Sequence, residues 1–421
     1  MTPGVRRICL AVLALAACAS AAAPAAAERH RPQRGVQQAI FVGNNWDGTA
    51  DVLEPGGDYH RIARINIVPD IAQRMGEIML DPVRLGYFLA IRELIGEGHD
   101  QFVDDMFSTK DGRLLIVSRP SLADVVAIDI ATDQIVWRFP MVGQRSDHMA
   151  ISPDGRRVVV SDSTANVVHV LDTATGQEVG SFESGDSPHE SNFSKDGDLI
   201  YHASIGLVYT PADDPQLDTT KGDRWFEIVD AHTYQVLKRI DMGQKLAEAG
   251  YPHMSSAVRP MALAPDGRFV YFQVSFFHGF VEYDLKRDRV TRVAQLPIAD
   301  KIKVMPREQY LLDSAHHGIA INAAGTRLCV AGTMSDYAAI VSRKTFRYTL
   351  IKAGQKPYWA TTTSDGRRCL VSWSGSDKIS VISYRTKKEV ASIPVGDHPQ
   401  RVRMGNIRKS WVRAQLAGPT Q

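Results

Sequence analysis

Seven of the thirteen histidines stand just ahead of short β-rich runs. They are His99 in "GHDQFVDDMF", His148 in "RSDHMAIS", His189 in "SPHESNFS", His253 in "YPHMSSAVRP", His316 and His317 in "DSAHHGIAIN", and His398 in "GDHPQRVR". Neutral imidazole nitrogens from several segments suit a borderline metal such as Zn, Cu or Fe. Imidazole also titrates near neutral pH and can carry protons as a general acid or base. His189 and His317 stand five residues before the residue that opens the next turn, and His148 stands four before. His148, His189 and His317 are therefore the expected core of a site, with His99 and His398 as further metal ligands. Glu190, Asp147 and Asp104 are expected to orient the rings, as carboxylates commonly do for metal-bound histidine.

Other side chains in the same segments suit an organic ligand. Arg145, Arg259 and Arg401 flank the starts of the runs, and guanidinium groups around one mouth favour a carboxylate or phosphate. Tyr358 and Trp359 in "KPYWATTT" offer the aromatic wall that ligand clefts favour. One histidine per segment has no tight local spacing of the HExxH kind, and repeats also copy residues by descent. Nucleophile elbow, P-loop, dinucleotide fingerprint and CxxCH haem motif are all missing.

The elements that must position these residues are repeats. Asp-Gly recurs as Asp111-Gly112, Asp154-Gly155, Asp196-Gly197, Asp266-Gly267 and Asp365-Gly366, with Ala324-Gly325 as a degenerate copy and Met404-Gly405 as a worn one. After most turns comes a β-rich run ("RLLIVS", "RRVVVS", "RFVYFQVS", "TRLCVAG"), then a polar break and a third run such as "VHVLD" or "ISVIS". Four short strands at a spacing of about forty residues define a propeller blade, because one such sheet cannot bury both faces alone. The expected fold is all-β: a seven-bladed β-propeller of four-stranded blades over residues 38–405, with 406–421 as a C-terminal tail. Only "HPQRVRMG" follows the sixth full unit, whereas "AIFVGNN", "ADVLEP" and "HRIARINIV" precede the first. The last blade is thus expected to be built from N- and C-terminal strands, which hides two sheet edges.

"SPDGRRVVVSDSTANVVHVLDTATGQEV" resembles the YVTN repeat, and the chain is similar to exported YncE-like propellers over roughly residues 38–405. The resemblance implies the architecture. It does not imply one activity, since relatives include lactonases, binding proteins, and propellers that house copper or haem.

The extra material falls on one face. Pro69–Gly98 reads as two helical segments, and "GLVYTPADDPQLDTTKGDR", "GQKLAEAGYPHMSSA" and "ADKIKVMPREQYLLDSA" interrupt the other connections. Each lies before a first strand or between a second and third, on the side that carries the histidines, where long loops mark a working surface.

The N-terminal 27 residues have a basic start, an apolar run and small residues to Ala27, which defines an export signal. As the alternative, Leu15-Ala16-Ala17-Cys18 fits a bacterial lipobox, with a lipid anchor on Cys18. The expected location is exported: secreted, periplasmic or attached to the cell envelope. No later apolar stretch reaches the roughly 18 residues of a membrane-spanning helix. Lys and Arg total 49 against 47 Asp and Glu, a balance that lacks the footprint of a general nucleic-acid binder. Beyond the leader, Cys329 and Cys369 on adjacent blades either pair as a disulfide or lie as buried thiols. A monomer is the expected state.

The sequence favours an exported propeller that binds a small ligand or metal ion at the His-rich mouth of its central channel. The alternative is an enzyme, either a metal-dependent oxidoreductase or a lactonase- or cyclase-type catalyst, with His148, His189 and His317 as catalytic groups. A cell-envelope protein-interaction module is the second alternative.

Overall fold

The Asp-Gly turns are closed by their own side chains. In the computed structural model, Ser152 Oγ donates to Asp154 Oδ1 at 2.5 Å, and that oxygen accepts the Arg156 amide at 3.0 Å. Gly155 takes φ +73° and donates its N–H to Ser152 O at 2.8 Å, a left-handed conformation that costs glycine little. The hydroxyl-to-Asp bond recurs from Thr109 to Asp111, Ser194 to Asp196 and Thr363 to Asp365. Each turn reverses a strand, and the runs between turns pair antiparallel. The structure describes residues 34–95, 98–208, 215–310 and 314–417; the expected leader at 1–27, with Cys18, lies outside the described residues.

The strands form seven four-stranded sheets, the blades of a β-propeller. Six are continuous in sequence. Their inner strands are Asp105–Ser108, Ser146–Ile151, Pro188–Phe193, Val258–Leu263, Ile319–Ile321 and Pro357–Thr362 for blades one to six. Blade seven joins the two ends of the chain: its inner strand, Pro399–Arg408, pairs antiparallel with Val36–Asn44, with Ile40 opposite Met404 and Phe41 opposite Arg403. Thr49–Leu53 and Arg61–Asn66 complete that sheet.

Apolar side chains from adjacent blades interdigitate. Ile116 and Val125 of blade one pack with Met149, Val158 and Val160 of blade two, and each fully buried Val, Ile or Met stabilises the ring by about 1.5–3 kcal/mol. Cys329 and Cys369 form a disulfide between the second strands of blades five and six.

Because strands alternate in direction, connections that lead into inner strands share a face with those between second and third strands. The helices α1 (Ile71–Leu80), α2 (Pro82–Ala90), α3 (Met242–Glu248) and α4 (Asp300–Lys303) all lie in such connections. Arg119, wholly buried, fastens the largest insertion: it meets Asp70, at the start of α1, at 2.6 Å and Asp124 at 2.7 Å. Asp81 caps α2 by accepting the Val83 and Arg84 amides, and Ile78, Phe88 and Leu122 pack beneath. Beyond residue 405 the chain continues in strand to Arg408 and then forms α5 (Lys409–Ala417). Trp411 and Val412 of α5 pack with Ile62, Ile65 and Ile407. Among the described residues, no helix is long and apolar enough to cross a membrane.

Candidate metal and ligand site at the channel mouth

A repeated backbone irregularity builds the site. Regular strands send successive side chains to opposite faces. In blades two, three, four, six and seven, however, the inner strand carries one extra residue near its start. Such bulges bend the strand and re-aim side chains, and they gather beside functional sites. The irregular positions hold Asp147-His148, His189, Arg259-Pro260, Tyr358-Trp359 and Gln400-Arg401. Gly318 serves blade five: it takes φ +132°, and a Cβ there would lie 2.6 Å from Tyr358 O and 2.8 Å from Trp359 Cα. Only glycine allows the backbone beside His317 to approach blade six so closely.

Residues of like type therefore stand at like places. Asp104, Asp147, His189, Arg259, His317 and Tyr358 each lie five positions before the residue whose carbonyl accepts the turn glycine. Blade seven contributes Gln400 at this level, because Ser372 Oγ donates to its carbonyl as Ser161 Oγ does to His189 O. One step on stand Asp105, His148, Glu190, Trp359 and Arg401.

Three imidazoles converge. One nitrogen from each of His148, His189 and His317 can be chosen so that all three lie within 4.8 Å of one another, and all three residues are buried. The His148 and His189 rings are 3.9 Å apart, and His317 meets them nearly edge-on at 5.8 and 6.1 Å. His148 Nδ1 meets Glu190 Oε2 at 2.7 Å, which leaves Nε2 toward Asp147 at 3.5 Å and Asp104 at 3.9 Å. Nδ1 of His189 and of His317 has no hydrogen-bond partner.

Burial holds all three histidines well below the ordinary range, so they are neutral. The Arg401 charge adds to this at His148 and His317, and Arg259 adds to it at His189. Burial acts oppositely on the acids, pushing Asp104 and Glu190 up to about 7 against the pull of Arg401. Three neutral nitrogen donors beside carboxylates form a set that suits Zn, Cu or Fe, with Glu190 on the far nitrogen of His148.

The remaining expected residues divide. Tyr358 lies against the His317 ring at 4.2 Å, and Trp359 approaches His148 at 6.1 Å and His317 at 6.0 Å. Arg401 covers Trp359 at 3.9 Å. Arg145 pairs with Asp147, while Arg259 donates to Ser275 Oγ at 2.9 Å. The two further ligands expected at this centre, His99 and His398, are not in the donor group: both stack on Trp46, at 4.9 and 3.9 Å. Their histidines share the segment type but lie upstream of the bulge, where chain direction is set by the loop. Sequence reasoning missed Asp105, which accepts from Arg403 at 2.9 and 2.7 Å and from the Met106 and Met149 amides at 2.8 and 3.2 Å, so its four acceptor positions are filled without Arg401. Its only signal was its place one step after Asp104.

The fold and this cluster define a class: a seven-bladed β-propeller in which three buried histidines converge from the starts of the inner strands of blades two, three and five. No family model matches the chain, and no curated protein matches it. Hydrazine synthase of Kuenenia stuttgartiensis is a similar solved structure, with TM-score 0.55 and 14% identity over 73% of this chain and 96% of that one. At that identity the likeness is one of fold. In all, 1630 chains of solved structures match, so the architecture is shared too widely to select an activity.

Proposed function

We propose that this protein is an exported YVTN-type propeller that binds a transition-metal ion, Zn, Cu or Fe, through His148, His189 and His317. The observation that carries the reading is the convergence of three buried imidazoles from three blades on donor atoms within 4.8 Å. Neutral rings need lose no proton to bind a cation, which removes the usual competition. Glu190 would accept from the Nδ1–H of His148, fixing the tautomer that presents Nε2. The leader-like N-terminus and the Cys329–Cys369 disulfide support export to an oxidising compartment.

Metal analysis of freshly purified protein tests the proposal. One equivalent of metal is expected, lost when His189→Ala and His317→Ala are combined. A metal-free preparation that cannot be reloaded with Zn, Cu or Fe refutes it.

One observation favours a second reading, catalysis at the same centre. Buried Asp104 Oδ2 has no hydrogen-bond partner and stands 3.9 Å from His148 Nε2, and burial pushes Asp104 and Glu190 up toward neutral pH, which suits proton carriers beside a bound metal. Under this reading His148, His189 and His317 hold the metal and the two carboxyls move the proton.

A further inference from the structure

Arg401 is wholly buried, yet Nε, Nη1 and Nη2 all lack a hydrogen-bond partner. Its neighbouring carboxylates stand beyond hydrogen-bond reach, Asp104 Oδ2 at 3.6 Å and Asp105 Oδ2 at 3.9 Å. Asp105 is already engaged by Arg403. The other two arginines expected at this mouth differ: Arg145 binds Asp147 and Gln101, and Arg259 binds Ser275. A guanidinium shut away from water with its donors unmet is costly, and an acceptor that supplies two parallel oxygens relieves that cost.

We infer that Arg401 is the receptor for a small monocarboxylate, whose two oxygens take the guanidinium fork while its remaining atoms extend toward the nitrogens of His148, His189 and His317. Trp359 lies under the guanidinium at 3.9 Å and, through its Nε1–H, donates to Thr361 Oγ1 at 3.1 Å, so the platform is itself held. Arg401 Nη2 and His148 Nε2 share a neighbour in Asp104 Oδ2, 3.6 Å from one and 3.9 Å from the other. The two nitrogens thus lie no more than about 7.5 Å apart, a distance that a ligand of a few heavy atoms covers. A monoanion is favoured over phosphate, because Asp104 and Asp105 within 4 Å of the same guanidinium would repel a dianion.

This deepens the metal reading only in where the far end of the ligand points; the carboxylate contact stands without a metal. Calorimetric titration of the full-length protein, metal-free and Zn-loaded, with acetate, pyruvate and inorganic phosphate tests it. Saturable binding of acetate or pyruvate is expected in both forms, weakened about tenfold or more in Arg401→Lys, which keeps the charge but not the fork, and abolished in Arg401→Gln. Zn stoichiometry should stay at the parent value in Arg401→Lys. Carboxylate binding within twofold of the parent in both variants overturns the inference, as does a failure of both carboxylates to bind. Tighter binding of phosphate through Arg401 overturns the monocarboxylate class. Carboxylate binding that persists in protein unable to take up Zn, Cu or Fe sinks the metal reading and leaves this one standing.

Discussion

His148 Nδ1 and Glu190 Oε2 meet at 2.7 Å across the seam between blades two and three, with neither side chain more than 5% exposed. The pair ties the ring plane of one proposed ligand to the neighbouring blade. Glu190→Gln keeps the shape and replaces the carboxylate with a weaker acceptor. Metal affinity is expected to fall about 10–100-fold, read by competition with a chelator, while the melting transition stays cooperative.

Buried neutral histidines make the fold acid-sensitive. His202 is held at about 3 and His278 at about 4 by burial, and burial also holds His148, His189, His316 and His317 well below 6.5. A depressed folded-state value means that the unfolded chain takes up protons first as pH falls below 6.5. Each such histidine removes up to about 1.4 kcal/mol per pH unit in that window. Asp104 and Glu190, raised to about 7, act in the opposite sense between their unfolded values and 7. Asp133, Asp147 and Glu227, raised by burial, act with them, as does His169, which against its burial is raised by Asp162 and Glu178. The prediction rests on the four histidines held well below 6.5 together with His202 and His278. Urea midpoints of metal-free protein should therefore drop steeply from pH 6.5 toward 4. A midpoint that is flat or rising on acidification contradicts this.

Ring closure depends on both ends of the chain. Val36–Asn44 and Pro399–Arg408 pair along nearly their whole length, so deleting either strand exposes an inner edge and the flanking cores of blades one and six. Loss of a cooperative melting transition is expected for either deletion. Removing only Lys409–Ala417, which buries Val412 and packs Trp411, should cost a few kcal/mol and leave the ring folded.

Arg119 clamps the α1–α2 insertion to blade one through Asp70 and Asp124, all within 2.7 Å. Arg119→Ala removes the cation that the two carboxylates share, leaving Asp124 to Arg138 and Asp70 to Arg74. Breaking a buried pair in this way costs about 3–5 kcal/mol. The variant should melt earlier and be cut first by protease within residues 67–95.

The repeat was legible because its chemistry is local. Hydroxyl, Asp and Gly at fixed offsets bond one another within a single turn, so Ser152-Asp154-Gly155 signals a hairpin wherever it stands. The site was legible in part for the same reason: His148, His189 and His317 could be counted back from those turns. The bulges were not readable, since a one-residue slip between paired strands depends on how Asp147-His148 faces Ser161 across the ladder. Arg401 could be placed at the rim, but its unmet donors depend on Asp105 being taken by Arg403, a tertiary fact. His99 and His398 looked like further ligands by position, and their stacking on Trp46 follows from loop geometry that the spacing does not encode. The Cys329–Cys369 pairing was open for a similar reason, because adjacency of blades does not fix which way two β-strand side chains point.

X-ray absorption of the Zn- or Cu-loaded protein tests the central claim most directly, because it counts the nitrogen donors at the ion. Three imidazole nitrogens at about 2.0–2.1 Å are predicted, falling to two in His317→Ala. A shell made of oxygen alone, or one unaltered by His317→Ala, contradicts the account.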